Sequence, residues 1–134
     1  MRSRTLPIIG VLIFSLTAGS ANATGGVSCS GINSNAYVEM VFGAGPVANI
    51  LDIGVSDGKR VISSRATDNV ETGHVAQSYS DGSLLQIDLM DDQVTKKLAT
   101  IKILRVGGGD WEDFQIGYLQ IEENEPIAIR CEGP

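Results

Sequence analysis

Catalysis in this chain would have to be built around one imidazole, because His74 is its only histidine. A metal site needing two or more imidazoles from one chain is excluded, and a Ser-His-Asp arrangement has a single candidate base. His74 follows Gly73 at the mouth of an alternating run, which is where a solvated loop histidine sits. A small hydrolase using His74 with a nearby serine or carboxylate is therefore the enzymatic alternative. No Gly-x-Ser-x-Gly elbow, phosphate-cradling glycine loop or zinc spacing accompanies it. The carboxylate clusters are Asp91-Asp92 and Asp110-Trp111-Glu112-Asp113, and neither has the alternating spacing of a calcium loop. Sugar hydrolysis needs a cleft lined by aromatic rings, and the chain has one Trp, three Tyr and three Phe. No cofactor and no metal are expected.

The residues best suited to contact a partner lie together in Gly107-Gly108-Gly109-Asp110-Trp111-Glu112-Asp113. Three glycines in a row give a backbone of wide conformational freedom. The single tryptophan follows at once, with carboxylates on both sides, a combination that suits a cationic or sugar ligand. Trp111, Asp110, Glu112 and Asp113 are accordingly the expected binding residues. The competing reading folds Trp111 back over an open end of the domain as a cap.

Strands must position these groups. Val38, Met40 and Phe42 share one face of an alternating run, as do Leu51, Ile53 and Val55, and Leu85, Ile87 and Leu89. Ile127, Ile129 and Cys131 repeat the pattern, and Cys29 falls inward two residues after Val27. Period-two alternation is the mark of half-buried antiparallel strands. Asp57-Gly58 and Asp81-Gly82 stand between such runs, and Asp-Gly supplies the positive φ of tight hairpin turns. The expectation is all-β: a small antiparallel sandwich or barrel of about eight strands. One stretch is ambiguous. Val94, Leu98, Ile101 and Arg105 have helical spacing, whereas Ile101-Lys102-Ile103-Leu104 alternates and is rich in β-branched residues. A turn at 91–97 followed by a strand at 98–106 is predicted, with an α+β fold carrying one helix around 91–104 as the alternative.

Compartment follows from the first residues and from the cysteines. Arg2 and Arg4, an apolar run from Leu6 to Leu16, and Ala21-Asn22-Ala23 form a signal-peptide pattern, so residues 1–23 are read as a signal peptide and 24–134 as a single β domain. The apolar run falls short of the ~20 residues that span a bilayer. A periplasmic or secreted location follows, where two cysteines pair; Cys29 with Cys131 is the one intramolecular bridge available. Closing a loop of about a hundred residues constrains the unfolded chain by up to ~4.7 kcal/mol. Lipidation of Cys29 is the alternative, against which Gly26-Val27-Ser28-Cys29 lacks the leucine usual three residues before a lipidated cysteine.

Without Arg2 and Arg4, the 10 Lys and Arg fall to eight against 16 Asp and Glu, a formal charge of −8. Nucleic acid is excluded as a partner, since phosphate binding needs clustered bases, and a cationic protein or envelope component is the electrostatically easy one. In charge and compartment alone the chain is similar to the periplasmic C-type lysozyme inhibitors, small barrels that bind a strongly basic enzyme. Their Ser-Gly-x-x-Tyr loop has no counterpart here: the nearest stretch, Tyr79-Ser80-Asp81-Gly82-Ser83, has no tyrosine downstream. The leading expectation is an exported, non-enzymatic acidic binding module that meets its partner through loops.

Overall fold

The computed structural model describes residues 25–44, 49–107 and 114–133. The described residues form ten strands and no helix: β1 (Gly25–Gly31), β2 (Tyr37–Phe42), β3 (Ile50–Ser56), β4 (Val61–Ser63), β5 (Glu71–Thr72), β6 (His74–Ser80), β7 (Leu84–Met90), β8 (Lys97–Val106), β9 (Phe114–Ile121) and β10 (Ile127–Glu132). They make one sheet in the order β5-β4-β3-β2-β1-β10-β9-β8-β7-β6. Neighbours pair antiparallel throughout, except that β4 and β5 are parallel.

The sheet curls into a nearly closed barrel because one stretch of backbone changes partners. Glu71 and Thr72 pair with Ile62 and Ser63 of β4, and two residues later His74 pairs with Met90 of β7. The Gly73 amide between them donates to the Ser63 carbonyl at 2.9 Å, so the chain passes from one wall to the other without a loop. The described residues hold ten strands where about eight are expected, β4 and β5 being short pieces defined by this hand-over.

Alternation fills the interior. Ile87, Ile101, Leu119 and Ile127 lie in one cross-strand row, and Ile53, Met40 and Val27 in another. All but Ile127, which packs at the margin, are buried. Each such side chain contributes about 1.5–3 kcal/mol by leaving water. Cys29 and Cys131 face each other in register across β1 and β10, Cα atoms 3.9 Å apart, and are bridged. The bridge lies inside the barrel beside Val38, which pairs with Cys29.

Two expectations are corrected. Leu51 is 56% exposed, not inward: Phe42 pairs with Ile50 and Val41 with Asp52, leaving Leu51 as the extra residue of a bulge that reverses the phase. The predicted turn at 91–97 and strand at 98–106 are present, with the strand beginning at Lys97, and the alternative helix around 91–104 is not formed. Asp91 accepts the Thr95 and Lys96 amides at 2.7 and 3.1 Å, Val94 turns at φ 56°, and 97–106 then pairs with both β7 and β9. At Asp57-Gly58 the expected positive φ is present, with Gly58 at 93°. At Asp81-Gly82 the turn is held instead by Asp81, which accepts the Ser83 and Leu84 amides, both at 2.8 Å. Those two donors pull the Asp81 pKa down to about 2.

One end of the barrel is latched by charge. Arg60, in the β3–β4 turn, forks onto Glu71 at 2.6 and 2.7 Å and reaches Glu122 of the β9–β10 turn at 2.6 Å. Lys96 of the β7–β8 turn joins the same Glu122 oxygen at 2.7 Å. Lys96 and then Arg60 hold the Glu122 carboxyl below its ordinary range. Three turns and the start of β5 are thereby tied across the barrel mouth.

Candidate functional site

The outer face of β1–β4 is concave, because the chain between β4 and β5 does not leave the barrel. Residues 64–70 fold back as a strap, anchored where the Ser64 amide donates to the Ile53 carbonyl and the Ile53 amide to Ser64 Oγ, at 2.8 and 2.9 Å. Thr67 and Val70 of the strap form one wall of a groove of about 610 Å³. That volume is within the usual range of binding clefts, ~300–1,000 Å³.

Register sets the floor. Gly54, Glu39, Ser28 and Glu132 lie in one cross-strand row over β3, β2, β1 and β10. Asp52, Val41 and Gly26 form the adjacent row. Strands are about 4.8 Å apart, which puts Glu39 and Glu132 roughly 10 Å from each other with only the small Ser28 between them. Gly54 leaves open space: a Cβ built there meets nothing within 4 Å. Tyr37, Val41 and Val61 each expose 37% of their surface and give the groove its apolar part.

Charge in the groove has one sign. Its lining includes Glu39, Asp52 and Glu132, and no lysine or arginine. Asp52 is occupied: Ser64 Oγ donates to one oxygen at 2.8 Å, and the Arg65 Nε of the strap lies 2.9 Å from the other. Glu39 and Glu132 have no hydrogen-bond or ion-pair partner among the described residues.

His74 lies elsewhere, at the start of β6. It is exposed, and its Nε2 is 2.7 Å from Asp92 Oδ1. A carboxylate-imidazole pair is one half of a nucleophile-activating triad, yet the described residues put no serine hydroxyl on that ring. Asp91 spends its oxygens on the turn amides and the Thr95 hydroxyl. No group of three or more His, Cys, Asp or Glu among the described residues could hold a metal ion. Trp111, Asp110, Glu112 and Asp113 lie outside the described residues; the strands they join end in the Val106–Phe114 pair.

Sequence reasoning missed the groove. Its carboxylates are spread from position 39 to position 132 and meet only through the register of four strands. Gly54, a glycine inside an otherwise regular strand pattern, was the available signal. Comparison with protein-family models, curated proteins and solved structures gives no match. The class that fold and site define is thus structural: a disulfide-stapled, nearly closed β-barrel with an acidic lateral groove.

Proposed function

We propose that this protein is an exported, non-enzymatic binding module that seats a cationic protein or envelope component in the groove on β1–β4. The observation that carries the reading is the lining itself: two carboxylates, Glu39 and Glu132, without a partner among the described residues, in a concave surface whose one nearby cation, Arg65, is held on Asp52. A groove of this kind adds shape to a net negative charge that would otherwise give only solubility. The rigid sheet beneath it suits recognition without induced change. Export is supported by the bridge between Cys29 and Cys131, which belongs to an oxidising compartment.

The test exploits the open floor. Gly54→Leu puts a side chain into the open groove, starting from a Cβ that meets nothing within 4 Å, so the fold should tolerate it while the surface is blocked. Envelope extract passed over the immobilised wild-type protein should yield a partner whose retention weakens as salt rises, because screening removes the attraction. The Gly54→Leu protein should retain much less of it. Equal retention by both proteins would remove the groove from the mechanism. His74→Ala should leave retention unchanged and, if the hydrolase alternative held, would abolish turnover of any substrate found.

A further inference from the structure

The groove already binds one cation, and that cation belongs to the protein. Arg65, on the strap, lays its guanidinium on Asp52 with a side chain 72% exposed. An ion pair so open to solvent is weakly held and exchanges readily with another of the same chemistry. The surroundings fit that chemistry better than they fit an ammonium. Gly54 and Gly26 have no side chains, so a flat group can lie on the strand backbone between the carboxylates. Tyr37 offers a ring at the rim, and the guanidinium is the cation that stacks on rings and forks onto carboxylates.

From this we infer that the groove takes an arginine side chain of a basic protein segment, held among Asp52, Glu39 and Glu132, and that Arg65 is its intramolecular competitor. The inference rests on the reading of the groove as the binding surface, and it adds the chemistry of the occupant and an autoinhibitory role for the strap. Entry of the partner arginine releases Arg65 from Asp52. No bond is made or broken; one guanidinium replaces another. Glu39 and Glu132 favour the newcomer because the strap arginine, occupied at Asp52, leaves them without an ion pair.

A fluorescein-labelled tetra-arginine peptide, titrated by anisotropy with the oxidised protein at low salt, tests this. Tetra-lysine at equal charge is the comparison, and a melting curve of each variant confirms folding. Glu39→Gln and Glu132→Gln should each weaken the arginine peptide about threefold or more, and Gly54→Leu should abolish its binding. Arg65→Gln should tighten it about two- to fivefold, the range that loss of an exposed ion pair allows. Tetra-lysine should bind more weakly to the wild type than tetra-arginine does. If Arg65→Gln leaves affinity unchanged while the glutamate variants lose it, the competition is overturned and the groove stands. Equal affinity for lysine and arginine overturns the guanidinium assignment. If no groove variant alters binding, the inference and the function it rests on both fall.

Discussion

Gly117→Ala adds one methyl group to the middle of β9, at a position that the sheet cannot vacate. Gly117 pairs with Ile103 on one side and Ile129 on the other, so it takes an inward place in the barrel. The wall is bent so tightly there that a Cβ would stand 1.8 Å from the Lys102 carbonyl oxygen and 2.8 Å from the Ile103 Cα. Carbon and oxygen approach no closer than about 3.3 Å even in weak hydrogen bonds, so β8 and β9 must part by more than an ångström. Overpacking of this kind costs typically ~1–3 kcal/mol, and the obstacle is backbone that cannot rotate away. Stretching one or two of the ladder hydrogen bonds around Ile103 adds about 0.5–1.5 kcal/mol each. The sum is about 1.5–6 kcal/mol. For a domain of this length that lowers Tm by roughly 6–24 °C. Thermal and urea unfolding of the oxidised protein measure it, with Gly54→Ala as the matched control. That methyl meets nothing, so its effect should be within about 1 kcal/mol of zero and can be stabilising by restricting the unfolded chain. A Gly117→Ala melt within 2 °C or so of wild type would refute the close approach of the two strands.

Four further outcomes are expected. Reduction, or Cys29→Ser, lowers stability by up to ~4.7 kcal/mol, and thiol titration of the unfolded, unreduced protein finds no free thiol. Ile53→Asn costs about 2–5 kcal/mol by burying an amide without partners, whereas Leu51→Asn, two residues earlier, changes the denaturation midpoint little; similar losses at both sites would abolish the bulge. Acid weakens the fold in a defined window: Asp57, Asp81, Asp91 and Glu122 all have lowered pKa values when folded, so their contribution is complete above about pH 5. It is lost as pH falls through 4 toward 2, where Asp81 itself titrates, and melts over that range that stay flat would contradict it. If Trp111 is a contact residue, its emission is that of a solvated indole, readily quenched by acrylamide, and Trp111→Ala leaves Tm nearly unchanged; blue-shifted, protected emission makes it a cap.

Strand phase was legible wherever one face is buried and the other wet, because only then does hydrophobicity alternate. Ile87 and Ile129 obey that rule. Leu51 does not, because Ile50 and Leu51 are both apolar and a count by twos selects either; only the pairing of Phe42 with Ile50 decides. The spacing of Val94, Leu98 and Ile101 suggested a helix, yet 97–106 has a strand on each side, and two ladders outweigh a weak local preference. Asp57-Gly58 and Asp81-Gly82 marked both turns correctly, although by two different mechanisms. The groove was out of reach for another reason: alternation tells which residues face outward but not which of them share a row. Glu39 and Glu132 became neighbours through β1, whose two partners come from opposite ends of the chain.

That placement of β1 has a consequence in time. As the polypeptide emerges from a ribosome or a membrane channel, β1 is the first of the described strands to appear, and its second neighbour, β10, is the last. Until β10 arrives, the far edge of β1 is unpaired and Cys29 waits as a lone thiol, open to the wrong partner. A growing chain therefore cannot complete the barrel segment by segment; closure is postponed until β10 arrives. Strands that meet late make folding slow, since a separation of 102 residues must be closed before the last contacts reward it. Oxidation of the two cysteines can then serve as a clock for the process: it records the moment at which β10 has taken its place beside β1.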